Sequence, residues 1–150
     1  MRAYRIGDPK GRFPIFSGEG AAKVSGRWHI RGQQVIYASR HYSTALLEVL
    51  AHWNGILPSG QHYIEIGIPA GVSYETVTPH SFTGWTDDRK AREFGATWCR
   101  EQRSAILISP SFVARVDENV VINCSHPDFP RLHASLEYPV FWDDRLFSKP

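Results

Sequence analysis

The apolar positions along the chain fall into short runs separated by stretches rich in glycine and proline. Arg2 to Ile6 reads as a short strand that stops at the Gly7-Asp8-Pro9 turn signal. Lys10 to Gly26 is glycine-rich and carries Pro14, so it is expected as loop. Val35-Ile36-Tyr37-Ala38 is a compact β-prone run and predicts a buried strand. The period then changes. Leu46, Val49, Leu50 and Trp53 stand at i, i+3, i+4 and i+7, which predicts a helix over Tyr42 to Trp53, stopped by Asn54-Gly55. Glu48 sits inside this apolar helix, with His52 one turn further along the same face. Alternation returns at His62 to Pro69, as in a strand. A second helix is expected after Thr86, whose hydroxyl would cap it. Asp87 and Asp88 suit its positive end, and Arg100 and Arg103 the other. Ala91, Phe94, Gly95 and Trp98 form its expected inward face, and strands are expected at Ala105–Ile108, Val120–Asn123 and within Ala134–Val140.

Strands and helices do not alternate regularly enough for repeated βαβ units, so the predicted class is α+β. The 150 residues fit one compact domain, 1–150. A chain that is 42% hydrophobic and 13% aromatic is not disordered, collagenous or coiled-coil. Lys and Arg number 17 against 15 Asp and Glu, and no basic tract is present, so no direct nucleic-acid binding is expected. No apolar run approaches the about 20 residues of a membrane span, and no apolar signal core follows Met1; a soluble, cytoplasmic protein without a membrane partner is expected. Cys99 and Cys124 read as reduced thiols. The histidines lack HExxH spacing, and no metal site is expected. Gly18-Glu19-Gly20-Ala21-Ala22-Lys23 opens like a dinucleotide fingerprint but has Lys where the third glycine belongs.

Polar residues in apolar or glycine-rich settings remain as candidates, each with a plain structural alternative. Arg27 follows the flexible loop in Ser25-Gly26-Arg27-Trp28. Its guanidinium can grip a phosphate bidentately while Gly26 permits close backbone approach, or it makes a salt bridge beside a core Trp. Glu48 is either a functional carboxylate at a core edge or an exposed helix residue. Tyr37 is a core aromatic or a stacking surface, and Ser111 a turn serine or a ligand-orienting one. Asn123 ends a strand in Asn123-Cys124-Ser125-His126-Pro127-Asp128, where an ordinary Asx turn is the alternative.

Taken together and in order, the segments resemble the RES domain family, named for its signature Arg, Glu and Ser. Gly20-Ala21-Ala22-Lys23-Val24-Ser25-Gly26-Arg27-Trp28 is similar to the family's GA-x-x-x-GGRW opening, and Gly32 through Ala38 to its G-x-x-x-[VI]-[LIV]-Y segment. Ala45-Leu46-Leu47-Glu48-Val49-Leu50-Ala51-His52 resembles the helical A-L-L-E-x-L-x-H run. Ala105 through Ser111 resembles the strand ending in V-P-S, and Glu118 through Asn123 with His126-Pro127-Asp128-Phe129 resembles E-x-N-[VY]-L-[IL]-N-P-x-H-P-D-F. Phe141 through Leu146 closes like the F-x-x-D-x-R-L tail. His29 stands where the family usually has Asn, Ser25 where it often has Gly, Ser109 where Val precedes Pro, and Cys124 where Pro follows Asn. These departures bear on the pocket rim and leave the three signature residues in place.

The resemblance implies an ADP-ribosyltransferase-like fold, with mixed or antiparallel sheets flanked by helices. It also implies an NAD+-consuming toxin of a toxin–antitoxin pair. NAD+ would be the substrate, cleaved between nicotinamide and ribose by phosphorolysis or hydrolysis. No prosthetic group is implied, and inorganic phosphate is a candidate co-substrate. Protein mono-ADP-ribosylation is the alternative, and a non-catalytic partner-binding module a second one. The implied partner is an Xre-like antitoxin with a helix-turn-helix segment that covers the active site and makes the DNA contact. Carried onto this chain, Arg27, Glu48 and Ser111 become catalytic candidates. Gly26, Arg27, Tyr37, His52, Ser111 and Asn123 become NAD+-binding candidates.

Overall fold

A computed structural model describes residues 1–54, 56 and 59–147. Eight strands and two α-helices follow the chain: β1 (Arg2–Gly7), β2 (Val35–Ser39), α1 (Tyr42–His52), β3 (His62–Gly67), β4 (Tyr74–Thr76), α2 (Asp88–Arg100), β5 (Ile106–Pro110), β6 (Glu118–Asn123), β7 (His133–Ala134) and β8 (Tyr138–Pro139). One mixed sheet runs β4-β5-β6-β2-β1-β3-β7, with β8 also on β3. Every pair is antiparallel except β4 with β5, which are parallel because α2 carries the chain back between them. The α+β class holds, with this single βαβ unit inside it.

The sheet consists of two well-paired blocks. β2 pairs β6 from Val35↔Asn123 to Ser39↔Asn119, and β5 pairs β6 from Ile106↔Ile122 to Pro110↔Glu118. On the other side, β1 and β3 pair along their whole length, from Arg2↔Gly67 to Gly7↔His62. The blocks meet only at Tyr4↔Ser39. Beyond that pair the strands part, and the Arg5 guanidinium donates to the Tyr37 carbonyl at 2.9 Å, supplying a bond that no strand partner supplies there.

Each face of the sheet carries its own core. Ile36, Ile64, Ile66, Ile106, Ile108 and Ile122 lie on one face, closed by Ile15 and Leu132 and the stacked rings of Phe16 and Phe129. Val35, Leu107 and Val121 lie on the other, under Trp28, Trp85 and Trp98. α2 covers this second face with Ala91, Gly95, Ala96, Trp98 and Cys99, with Phe94 half-buried at its side, close to the expected stripe. The helix crosses the Trp28 backbone so tightly that a Cβ on Gly95 would fall 2.7 Å from the Trp28 Cα and closer still to its carbonyl.

Four expectations need correction. The cap of α2 is Asp87, which accepts from the Lys90 N–H at 2.9 Å; Thr86 instead ends a 3-10 turn, Thr83–Thr86. The short strand β4 was not anticipated, and the region near Ala134–Val140 divides into two two-residue pairings. The stripe Leu46, Val49, Leu50 and Trp53 is not the buried face of α1. Only Thr44 and Ala45 are fully buried; of the stripe, Leu46, Val49 and Leu50 are half-buried and Trp53 is 48% exposed. α1 is seated through tyrosines as well: Tyr42 packs on Tyr4 (6.0 Å) and Tyr63 (4.8 Å), while Val49 and Trp53 line an open cleft. The helix stops as Asn54 turns left-handed at φ 53°; Gly55 lies outside the described residues. Among the described residues no helix is long and apolar enough to cross a membrane, and both cysteines are free thiols.

The Gly95–Trp28 crossing makes a definite prediction. Gly95→Ala should cost about 3 kcal/mol or more, because the obstacle is backbone rather than a flexible side chain. Urea denaturation checks it, and a loss under about 1 kcal/mol would mean the crossing is looser than described.

Candidate active site

Where β1 and β2 part, a cleft of about 550 Å³ opens between the sheet and α1. Its lining includes Tyr4, Arg5, Arg27, Tyr37, Glu48, His52, Phe112 and Asn119. The volume falls in the range of small-molecule sites, and the lining mixes charged with aromatic side chains.

Glu48 projects from α1 and is held by two other elements. Its Oε1 accepts from the Ser111 hydroxyl at 2.9 Å and from the Asn119 amide at 2.6 Å. Each donor is itself fixed. The Ser111 oxygen accepts from the Ala114 N–H at 3.0 Å, and the Asn119 carbonyl accepts from the Ser39 hydroxyl at 2.8 Å. Two charge-assisted bonds on one oxygen leave Oε2 without a protein donor among the described residues, on a side chain that lines the cleft. Behind this group, the Asp117 carboxylate joins the start of α1 to the start of β6. It accepts from Thr44, from His41 at 2.8 Å and from the Glu118 N–H at 2.8 Å. Burial pushes the Asp117 carboxyl up, and these hydrogen bonds outweigh it, so the group ends below its ordinary range.

Arg27 stands across the cleft. Its Nη1 lies 3.0 Å from the Asp88 carboxylate yet has no aligned hydrogen-bond acceptor, and the guanidinium covers the Phe112 ring at 4.5 Å. Arg115 covers the same ring at 4.6 Å. The Tyr37 hydroxyl meets the Trp28 N–H at 3.0 Å and His29 Nδ1 at 2.7 Å, and burial pushes its phenol up to about 12.

The structure thus gathers Arg27, Tyr37, Glu48 and Ser111 in one place, and sets the remaining candidates in other settings. Ser111 is fully buried, and its hydroxyl reaches the cleft only through its hydrogen bond to Glu48. His52 lines the rim and is exposed, edge-on to Trp53 at 5.7 Å, with no hydrogen bond to Glu48. Gly26 serves packing: a Cβ there would fall 2.7 Å from the His29 ring and 2.8 Å from the Tyr37 hydroxyl. Asn123 is fully buried away from the cleft. Its amide donates to the Cys99 carbonyl at 3.1 Å and accepts from the Ser125 N–H at 3.0 Å, so both ends are spent internally. The asparagine at the cleft is Asn119, on the same face of β6 and four residues earlier. Arg5 was also missed. It lines the cleft, and its buried Nε has no partner; burial pulls its pKa down.

Comparison with known proteins places these residues in context. The model of the RES domain matches residues 2–143. A protein of Sphingobium sp. (strain YBL2) named Prs ADP-ribosylating toxin is 34% identical over 140 residues, which cover 89% of this chain and 87% of that protein. Proteins named Toxin Res from Pseudomonas putida and Photorhabdus laumondii are 31% and 29% identical, over 87% and 86% of this chain and 92% and 85% of theirs. Among solved structures, the M. tuberculosis MbcT–MbcA toxin–antitoxin complex contains a chain that superposes with a TM-score of 0.68 at 17% identity, over 93% of this chain and 83% of that one. At that identity the likeness establishes the fold.

The Asp117 clamp predicts an acid-dependent loss of stability. Its folded pKa lies below the unfolded value, so its contribution is complete above about pH 4 and fades as pH falls through the folded value. Asp117→Asn should cost about 1–3 kcal/mol at pH 7 and flatten the decline of stability below pH 4. Denaturation curves that run parallel for both proteins from pH 7 to pH 3 would count against the clamp.

Proposed function

The chain belongs to the RES domain family, and from that premise we propose that it is the toxin of a toxin–antitoxin pair and cleaves the nicotinamide–ribose bond of NAD+. The observation that carries this reading is Glu48, a carboxylate with one oxygen saturated by Ser111 and Asn119 and the other open at a cleft that also holds Arg27.

Breaking the bond between nicotinamide and C1″ of the ribose leaves positive charge on the sugar. The bonding pair departs with nicotinamide, and the acceptor oxygen adds to C1″; when the acceptor is water, one of its protons is released to solvent. Glu48 Oε2 is suited to accept a ribose hydroxyl and to stabilise that charge as it grows. Ser111 and Asn119 prevent the carboxylate from swinging, so little reorganisation is needed at the transition state. Arg27 matches a pyrophosphate in shape and charge and fixes the dinucleotide's register. The face of Tyr37 offers a stacking surface for a flat ring. With water as acceptor the product is ADP-ribose; with inorganic phosphate it is ADP-ribose-1″-phosphate. The name of the Sphingobium relative favours a second reading, in which a protein side chain is the acceptor.

An antitoxin with a helix-turn-helix segment is the proposed partner. The superposing M. tuberculosis structure is itself a toxin–antitoxin complex. Trp53, Phe112 and Val113 line the cleft and are 48%, 39% and 42% exposed, an apolar rim suited to a covering protein.

NAD+ loss by the purified protein, with and without inorganic phosphate and with products resolved by mass, separates phosphorolysis from hydrolysis. Labelled NAD+ separates both from protein modification, since only a transferase leaves label on a protein. Glu48→Gln should keep the fold and lower turnover about 10²-fold or more; a fully active variant would overturn the mechanism. Arg27→Lys should mainly raise KM, because Lys lacks the planar fork. An unchanged KM would make Arg27 purely structural.

A further inference from the structure

His29 is fully buried at 2% exposure beside Tyr37 of the cleft lining, and the partners of its ring nitrogens decide which of them holds the proton of the neutral ring. Nε2 lies 2.7 Å from the Ala21 carbonyl and 3.0 Å from the Val24 carbonyl. Carbonyl oxygens only accept, so Nε2 carries the proton. In the neutral ring Nδ1 is then an acceptor, and the Tyr37 hydroxyl, 2.7 Å away, donates to it. The other side of that oxygen receives the Trp28 N–H at 3.0 Å. With the ring neutral, the single phenolic proton is committed to Nδ1, and Tyr37 offers the cleft its ring and no hydroxyl donor.

This chain of bonds joins two parts of the site. Ala21 and Val24 belong to the loop that leads to Arg27, while Tyr37 belongs to β2. Gly26 has no room for a Cβ because the His29 ring and the Tyr37 hydroxyl occupy that space. We infer that His29 is a positioning residue: its Nε2–H tautomer orients Tyr37 by hydrogen bond and sets the distance between the Tyr37 ring and the Arg27 guanidinium. What that pair grips rests on the NAD+ reading; the bonding pattern does not.

Two measurements test the inference. Nitrogen-15 NMR of the unliganded, histidine-labelled protein, with the His29 signals assigned by their loss in His29→Gln, should show a neutral ring protonated at Nε2. Protonation at Nδ1 or at both nitrogens would overturn the inference, whatever the protein's activity. In kinetics, His29→Leu and Tyr37→Phe should each raise KM for NAD+ roughly tenfold with kcat within about twofold, and the double variant should add nothing further. His29→Gln, whose amide both donates and accepts, should restore KM to within about threefold of the original. An unchanged KM in Tyr37→Phe, or additive effects in the double variant, would reduce His29 to a loop staple. If no NAD+ is consumed by any form, the proposed reaction fails while the NMR result still decides the tautomer.

Discussion

Two fully paired neighbouring strands leave no space for a ligand between them, and here the space exists because β1 and β2 meet at one residue pair. Everything at the site follows from that incomplete seam. The Tyr37 carbonyl would lack a partner where the strands part, and Arg5 reaches it from β1. Because the seam holds at Tyr4↔Ser39, α1 can rest on the tyrosines of β1 and β3 while Glu48 faces β6. The cleft thus begins at a gap in sheet pairing, and α1 with the segments carrying Arg27 and Phe112 completes its walls.

Glu48 shows how the blocks are coordinated. Its fixed oxygen depends on the end of β5 through Ser111 and on β6 through Asn119, and Asn119 depends in turn on β2 through Ser39. Four elements therefore agree on the position of one carboxylate. Asp117 reinforces the agreement by tying the first turn of α1 to the same end of β6. The arrangement also explains why α1 is only partly buried: Ala45, Glu48, Val49, His52 and Trp53 line the cleft.

Elements with strong periodicity were legible in the chain, as were the three signature residues. β2, β3, β5, β6 and both helices lie within a few residues of expectation, and Arg27, Glu48 and Ser111 share one cleft or its immediate support. What could not be read depends on long-range register. Asn119 and Asn123 lie on the same face of one strand, so alternation cannot choose between them; the β2–β6 register and the seat of α1 do. Arg5 has no local signal, since its role arises only from a gap between strands. The α1 stripe misled because a helix beside a cleft and a helix over a core share the same periodicity. Gly26 was expected to permit close backbone approach beside Arg27, and its missing side chain also makes room for the His29 ring.

The ion pair between Arg27 and Asp88 has a consequence for selectivity. Since a carboxylate already lies 3.0 Å from the guanidinium, an arriving anion exchanges with a resident one rather than meeting a bare charge. A small monoanion replaces like with like and gains little. A pyrophosphate brings two charges and several oxygens, and the displaced Asp88 stays at the positive end of α2, where its charge is still favoured. The first turn of α2 thus supplies the resident counterion of the Arg27 guanidinium, and any anion that reaches Arg27 has to compete with it.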